Sequence, residues 1–296
     1  MTPTADTDKR PLLVFLNEVG GGRGLLKAVR ERTEADECSQ VIVAAPQNQP
    51  TIGSLIDRDE LYASARARVE VTMSIFAEFG IDSVGEVLDP APQLALGDAI
   101  RAHEPCEVLF SALYDTRFGI ARKDLVEWSR ELAEPEVNFT HIPVRVEEDA
   151  IRLDLAHVLV IATQTVNAPD LVARLKERAA TRPHRYTIVS PRSEAVSEEQ
   201  VVRDLAATLA ELYRAEIDAT GLPISADDPF EAVRNAIEHY KIDEILISTF
   251  AGQQSRWLES DLVGRVRGIT DKSVSHVEVG RAPAAVAAAV AEGGEH

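Results

Sequence analysis

Serine, aspartate and a basic loop recur together twice in this chain. Ser111 closes the apolar run CEVLFS, and Asp124 opens the helix-like run that follows a loop carrying Arg117 and Arg122. Ser248 closes EILIS, and Asp261 opens a second run of the same kind. The two copies are 137 residues apart (248 − 111 and 261 − 124). A hydroxyl at a strand end can hold a small polar ligand. An acid at a helix start does something else. A helix N-terminus exposes unpaired N–H groups and a partial positive charge, and so makes a ready phosphate site. Asp in that seat is itself the anion, because its carboxylate accepts the same bonds. Asp124 and Asp261 are therefore expected to be structural caps that stand in place of a phosphate. A phosphate nearby would meet a like charge costing roughly one to a few kcal/mol. The alternative partner for these carboxylates is a metal or a ligand hydroxyl.

The remaining polar candidates also lie at strand ends. Asn17 and Thr163 follow the first apolar run of each half, and Thr249 and Arg256 lie next to or after Ser248. Arg23 sits in GGGRG, Gly20 to Gly24, which lacks both the G-x-G-x-x-G spacing and the lysine of a phosphate loop. That segment reads as a turn, with Arg23 as the charge for a phosphate or adenosine contact. Trp257 is expected to pin its loop to the core, and Arg117 and Arg122 to be solvated. His141 and His276 hold matching places in the last strand of each half and read as ordinary strand residues; the alternative is that the two strands pair and bring the imidazoles together as a pH-responsive contact or shared metal site. No Ser-His-Asp order, HExxH, paired cysteines or deaminase pattern occurs. No catalytic residue and no metal ligand is assigned.

These residues need elements to place them. Matches at the 137 offset run without a gap from about Val84 to Val126 and include Leu109 with Leu246 and Glu107 with Glu244. Nearer the start the offset is 146: LLVFLNE overlies VLVIATQ, and Arg32 matches Arg178. At the far end it is 135, pairing His141 with His276. Each half alternates short runs that are apolar on both faces with longer amphipathic ones, the pattern of buried parallel strands and covering helices. In the second half strands are expected at 157–163, 185–190, 221–225, 243–249 and 273–279, and helices at 168–180, 197–219, 229–240 and 261–269. Asn167 before Pro169, Ser197 before Glu199 and Gln200, and Asp228 before Pro229 read as helix caps.

Net charge is −18, with 49 acidic against 31 basic residues. That excludes general affinity for nucleic acid or anionic membranes, which need clustered cations. The opening MTPTADTDKRP has no apolar signal-peptide core, and no stretch approaches the roughly 18 apolar residues of a membrane span. Cys38 and Cys106 have no metal-ligand spacing. A cytoplasmic chain with reduced cysteines is the expectation.

This layout resembles the universal stress protein family, over about 11–146 and 157–279. The resemblance implies an α/β fold of two tandem doubly wound five-stranded parallel sheets, each of order 3-2-1-4-5, forming an internal pseudo-dimer. It divides the chain into a first domain (11–146), a linker (147–156), a second domain (157–279) and tails at 1–10 and 280–296. Members that bind ATP carry Asp after the first strand and G-x2-G-x9-G-S/T after the fourth. Here the second pattern falls on Ser111, Tyr114, Asp124 and Leu125, and again on Ser248, Ala251, Asp261 and Leu262. None of its glycines is present in either copy, and Asn17 and Thr163 replace the Asp. The implied role is a non-enzymatic, stress-linked regulatory or binding protein with weak or absent ATP binding and no required cofactor. Its partners would be its own other half, a second copy of the chain, or another protein. One alternative is an adenine-nucleotide-binding stress protein whose non-standard site uses Asn17, Thr163, Ser248, Thr249 and Arg256. The other is a nucleotide-dependent transferase or hydrolase.

Overall fold

The computed structural model describes residues 9–17, 22–48, 58–112, 117–118, 123–133, 137–143, 155–191, 196–224, 229–239, 242–251 and 261–280. The first half runs β1 (Leu12–Leu16), α1 (Arg23–Glu34), β2 (Val41–Pro46), α2 (Arg58–Glu78), β3 (Ser83–Leu88), α3 (Pro92–His103), β4 (Glu107–Ala112), β5 (Arg117–Phe118), β6 (Lys123–Asp124), α4 (Leu125–Ala133) and β7 (Asn138–Pro143). The second runs β8 (Ala156–Ile161), α5 (Pro169–Thr181), β9 (His184–Pro191), α6 (Glu198–Arg214), β10 (Asp218–Ile224), α7 (Pro229–His239), β11 (Glu244–Phe250), α8 (Leu262–Ile269) and β12 (Ser273–Val279). Two five-stranded sheets result, ordered β3-β2-β1-β4-β7 and β10-β9-β8-β11-β12, with every pairing parallel. The expected order 3-2-1-4-5 is present in both.

Central strands such as LLVFL and AHVLVI are buried along their whole length. They can be apolar on both faces because helices cover both. The core has three parts. Two outer clusters lie on the far faces, one under α3 and α4, the other under α7 and α8. One continuous inner cluster joins α1, α2 and the inner face of the first sheet to α5, α6 and the inner face of the second. The layers are therefore helices, sheet, two shared helix layers, sheet, helices. Helix α2 packs on α6 and reaches β10, so a broad arc of it is buried, including Ala65, Arg68, Val69, Thr72, Ile75 and Phe76.

Chaining the registers outward sets Val14, Val43, Gly85 and Leu109 of the first sheet against Val160, Ile188, Gly221 and Leu246 of the second. The two glycines share one physical cause. A Cβ on Gly85 would lie 2.5 Å from Val69 Cγ1 and 2.5 Å from Met73 Sδ of α2. On Gly221 it would lie 2.7 Å from Leu205 Cδ1 and 3.0 Å from Leu209 Cδ1 of α6. Each inner helix thus seats an i, i+4 apolar pair on a bare stretch of edge strand.

Several expectations need correction. The helix expected to run to 219 ends at Arg214, and β10 starts at Asp218 rather than 221. Glu216 turns with φ 58, and the Ile217 N–H returns to Leu212 O. A left-handed turn made without glycine leaves no stop signal, and Leu212, Tyr213 and Ile217 prolong the helical pattern. Helix α5 is capped at Ala168 with no side-chain bond; Asn167 instead reaches Asp204 at 3.3 Å. The last strands β7 and β12 are edges of separate sheets and do not pair, because the halves meet through helices. His141 bonds Ala112 O at 3.2 Å and His276 bonds Thr249 Oγ1 at 2.8 Å, each within its own half.

Finally, Cys38 and Cys106 are not reduced thiols but form a disulfide, with Cα atoms 6.6 Å apart and a separation of 68 in sequence. Each lies in a loop just before a strand that flanks β1, and the sheet order brings those loops together. Spacing along the chain carried no sign of it. The interval after β4, expected as a loop, also holds the two-residue antiparallel ladder of β5 and β6. The polar stretch from Glu147 to Asp154 lies outside the described residues.

Candidate functional site: the carboxyl ends of the two sheets

At the carboxyl end of the first sheet, Asn17 is 2% exposed, and its N–H donates to Ser111 O at 2.9 Å. These two candidates are thus adjacent. Two further residues close around them. Asn48 Nδ2 donates to Asn17 O at 2.9 Å and Oδ1 at 3.1 Å. Arg68 donates to Asn17 O at 3.0 Å, to Pro46 O at 2.6 Å and to Asn48 Oδ1 at 2.9 Å. Arg68 comes from the apolar face of α2 and is 1% exposed. Its guanidinium satisfies strand-end carbonyls that would otherwise face the crevice. Neither Arg68 nor Asn48 was singled out from the sequence. The sign that could have found Arg68 is a basic residue on the apolar stripe of Ala65, Val69, Thr72 and Ile75.

The second sheet ends differently. Thr163 Oγ1 donates to Pro191 O at 2.8 Å, and Ser190 Oγ donates to Ala162 O at 2.7 Å. Thr165 Oγ1 donates to Ser248 O at 3.2 Å, and Thr208 Oγ1 to Val166 O at 2.7 Å. Hydroxyls here do what the arginine does in the first sheet. The residue matching Arg68 is Asp204, one place before Leu205, and it accepts from Gln200 Nε2 at 2.8 Å. Thr249 does not join Ser248: successive strand residues face opposite sides, and its hydroxyl is held by His276.

Two groups in these crevices stand out. The side-chain hydroxyls of Ser111 and Ser248 are both buried without a hydrogen-bond partner among the described residues. Buried hydroxyls are normally bonded, and these two hold the same place in the two sheets.

Of the two aspartates, Asp261 is the N-cap of α8, with φ 48, and its carboxylate accepts from the Gly264 N–H at 3.2 Å. Asp124 directly precedes α4, and its backbone pairs with Arg117; its carboxylate, like Arg256, Trp257, Tyr114 and Arg122, lies outside the described residues. Arg23 is not in either crevice. Its Nε pairs at 3.0 Å with Asp218 at the start of β10, across the halves. Beside it the Gly22 N–H donates to Tyr213 OH at 2.9 Å. Burial raises the pKa of that phenol.

Among the described residues no group of three or more His, Cys, Asp or Glu could hold a metal, and no helix is long and apolar enough to cross a membrane.

No family model and no curated protein matches the sequence. Among solved structures, the chain is similar to a universal stress protein from Archaeoglobus fulgidus, with 15% identity, 92% of this chain and 97% of that one covered, and a TM-score of 0.34. It is also similar to the Anabaena protein HepE in complex with UDP and glucose, with 11% identity, 92% and 81% coverage and a TM-score of 0.29. A sucrose-phosphate synthase from Thermosynechococcus elongatus follows, with 12% identity, 92% and 82% coverage and a TM-score of 0.28. These superpositions are loose. The fold class rests on strand order and pairing, not on the overlays.

Proposed function

We propose that this chain is a non-enzymatic, stress-linked binding or regulatory protein of the universal-stress-protein kind, built as two fused copies of one unit, with ATP binding in the usual manner weak or absent. One observation supports this above others. Asp261 caps its own helix through the Gly264 amide, at the position where the resemblance would place a glycine cradle for phosphate. A carboxylate in that seat uses the donors and repels the ligand.

Calorimetric titration of the whole chain with ATP, ADP and AMP tests the reading. Little or no heat is expected with ATP, and low-micromolar ATP binding would overturn it. Asp261→Gly should ease phosphate binding while costing only a few tenths of a kcal/mol, because glycine suits the left-handed backbone there even as the cap bond is lost. Leu262 is 1% exposed in the outer core, so adding Leu262→Ser would cost about 2 kcal/mol or more.

A second reading, an adenine-nucleotide protein with a non-standard site, is favoured by the unbonded hydroxyls of Ser111 and Ser248. It predicts binding of AMP or ADP in the same titration, weakened in Ser248→Ala. Binding that is absent, or indifferent to that change, counts against it.

A further inference from the structure

A cavity of about 300 Å³ lies between the halves, next to the strand-end crevice of the first sheet, where Ile142 and Pro143 pair with Ser111 and Ala112. Arg23 and Lys27 of α1 line it from one side, with Ile142 and Pro143 at the end of β7; Arg185, Asp218 and Thr220 of β9 and β10 line it from the other. Its lining holds three cations and one carboxylate, in a chain whose acids outnumber its bases by 49 to 31. We propose that this cavity binds a small phosphate-bearing anion, gripped by Arg23 and Lys27 from one half and by Arg185 and Thr220 from the other.

The matching places of the first sheet show that the fold does not require such polarity. His157, Arg185 and Asp218 lie side by side on neighbouring strands, followed on the same face by Leu159, Thr187 and Thr220. In the first sheet the row matching Leu159, Thr187 and Thr220 is Leu13, Ile42 and Val84, apolar throughout. Gln40, one residue before Val41, stands where the second sheet has Arg185. Arg185 is 8% exposed and stands beside Asp218 on the neighbouring strand, so the second half keeps a charged row where the first has Gln40. From Thr220 at the edge strand the polar row continues across the outer face of the second sheet, the face of Leu159. Thr187 Oγ1 lies 3.5 Å from Thr220 Oγ1, and His157 Nε2 lies 2.8 Å from Thr187 Oγ1. Such a chain of hydroxyls holds Thr220 in a fixed orientation at the cavity wall.

Charge and geometry choose the ligand. Guanidinium groups present forked donors suited to phosphate oxygens, and Lys27 adds a point charge at the rim. Helix α1 starts at this wall with Gly22 as an N-cap that gives no side-chain bond, so its field adds to the cations rather than creating the site. The volume is at the small end for ligand pockets, which suits a phosphate monoester with a short organic body rather than a nucleotide triphosphate. Asp218 already holds Arg23 Nε. An arriving phosphate competes with that carboxylate for Arg23, which sets a modest affinity and a specific sign for one variant.

The test is titration of the intact chain with inorganic phosphate and with glycerol 3-phosphate, against sodium chloride of equal ionic strength, followed by calorimetry and phosphorus NMR. Saturable binding is expected, tighter for the ester. Arg23→Ala with Lys27→Ala should weaken it at least about tenfold. Asp218→Asn, which keeps shape and removes the competing charge, should tighten it several-fold; loss of a merely structural ion pair would not. Thr220→Val, the residue of the first half, should weaken it a few-fold. Arg30→Ala, on the same helix but paired with Glu34 in solvent, should change nothing. Arg185 is too buried to serve as the first variant. No saturation beyond the chloride control, binding unaltered in the Arg23 and Lys27 double variant, or weakening by Asp218→Asn would each overturn the proposal. These variants leave Ser111, Ser248 and Asp261 unchanged, so their outcomes are read separately from the strand-end tests.

Discussion

The two halves close the amino ends of their sheets by different chemistry on the same backbone. Cys106 and Asp243 hold one place: the Cys106 N–H donates to Pro11 O at 2.8 Å, and the Asp243 N–H to His157 O at 2.9 Å. In the first half Cys106 goes on to bond Cys38. In the second, Asp243 Oδ2 accepts from the His157 N–H at 2.9 Å, completing a two-bond clasp. At the opposite ends the contrast is Arg68 against Asp204. What stays the same is the edge-strand glycine under an inner helix at mid-height, and an ion pair from the first helix to the first residue of the fourth strand. Packing against a helix leaves few substitutions open there. The rims face solvent, each other, or a ligand, and so differ between the copies. Function should accordingly be sought at the rims.

Covalent closure in one half only makes the largest prediction. Closing a loop of 68 residues stabilises by about 4 kcal/mol in the chain-entropy account. Reductant should therefore lower the denaturant midpoint of the whole chain, and Cys38→Ser should reproduce that midpoint without reductant. If the halves unfold in two steps, only the step belonging to residues 12–143 should move. An unchanged midpoint, or a shift that Cys38→Ser does not reproduce, would remove the asymmetry.

Next in size is the shared glycine. Gly221→Val and Gly85→Val should each cost about 3 kcal/mol, since the added carbons meet well-packed side chains rather than open space. The obstruction is stiffer at Gly85, where Val69 is β-branched, than at Gly221, where the first atoms met are the ends of Leu205 and Leu209. Gly85→Val is thus expected to be the worse of the two by urea denaturation. A substitution that costs nothing at either site would mean the helices can lift off their strands.

Most of this frame was legible in the sequence because it is periodic. Continuous apolar runs marked the strands, and fixed offsets matched Arg32 with Arg178, Glu107 with Glu244 and His141 with His276. What was hidden depended on contacts between distant segments. The disulfide joins two loops that only the strand order makes neighbours. Arg68 reads as one base among several on a long helix until β1 and β2 end beneath it. The end of α6 was missed because Glu216 turns the chain where glycine would have been the signal. Arg23 looked like a phosphate contact of its own half, and its partner Asp218 belongs to the other. The alternative in which His141 and His276 meet fails for the same reason: equivalence in sequence says nothing about which faces the halves use to touch.

The matched ion pairs give the finest comparison. Arg32 holds Glu107 at 2.9 Å, with Glu107 also accepting from Thr140 Oγ1 at 2.6 Å. Arg178 holds Glu244, which Arg182 also bonds. One pair is completed by a hydroxyl, the other by a second cation. Burial pushes the Glu107 carboxyl up, but the bonds from Arg32 and Thr140 together outweigh it and leave the group below its ordinary value. A lowered folded-state value means that the unfolded chain takes up protons first as pH falls. The stabilisation is then complete above the unfolded carboxylate range of about 4.3 and drains away as pH drops through the lower folded value. Glu107→Gln should cost about 1–2 kcal/mol at neutral pH, and the gap from the parent chain should narrow steadily below about pH 4. A gap that persists undiminished in acid would show that the side chain's shape, not its charge, matters there. Glu244→Gln strands two cations instead of one, so its neutral-pH cost should be the greater; the reverse order would mean that Arg182 is a solvent-exposed partner of no consequence.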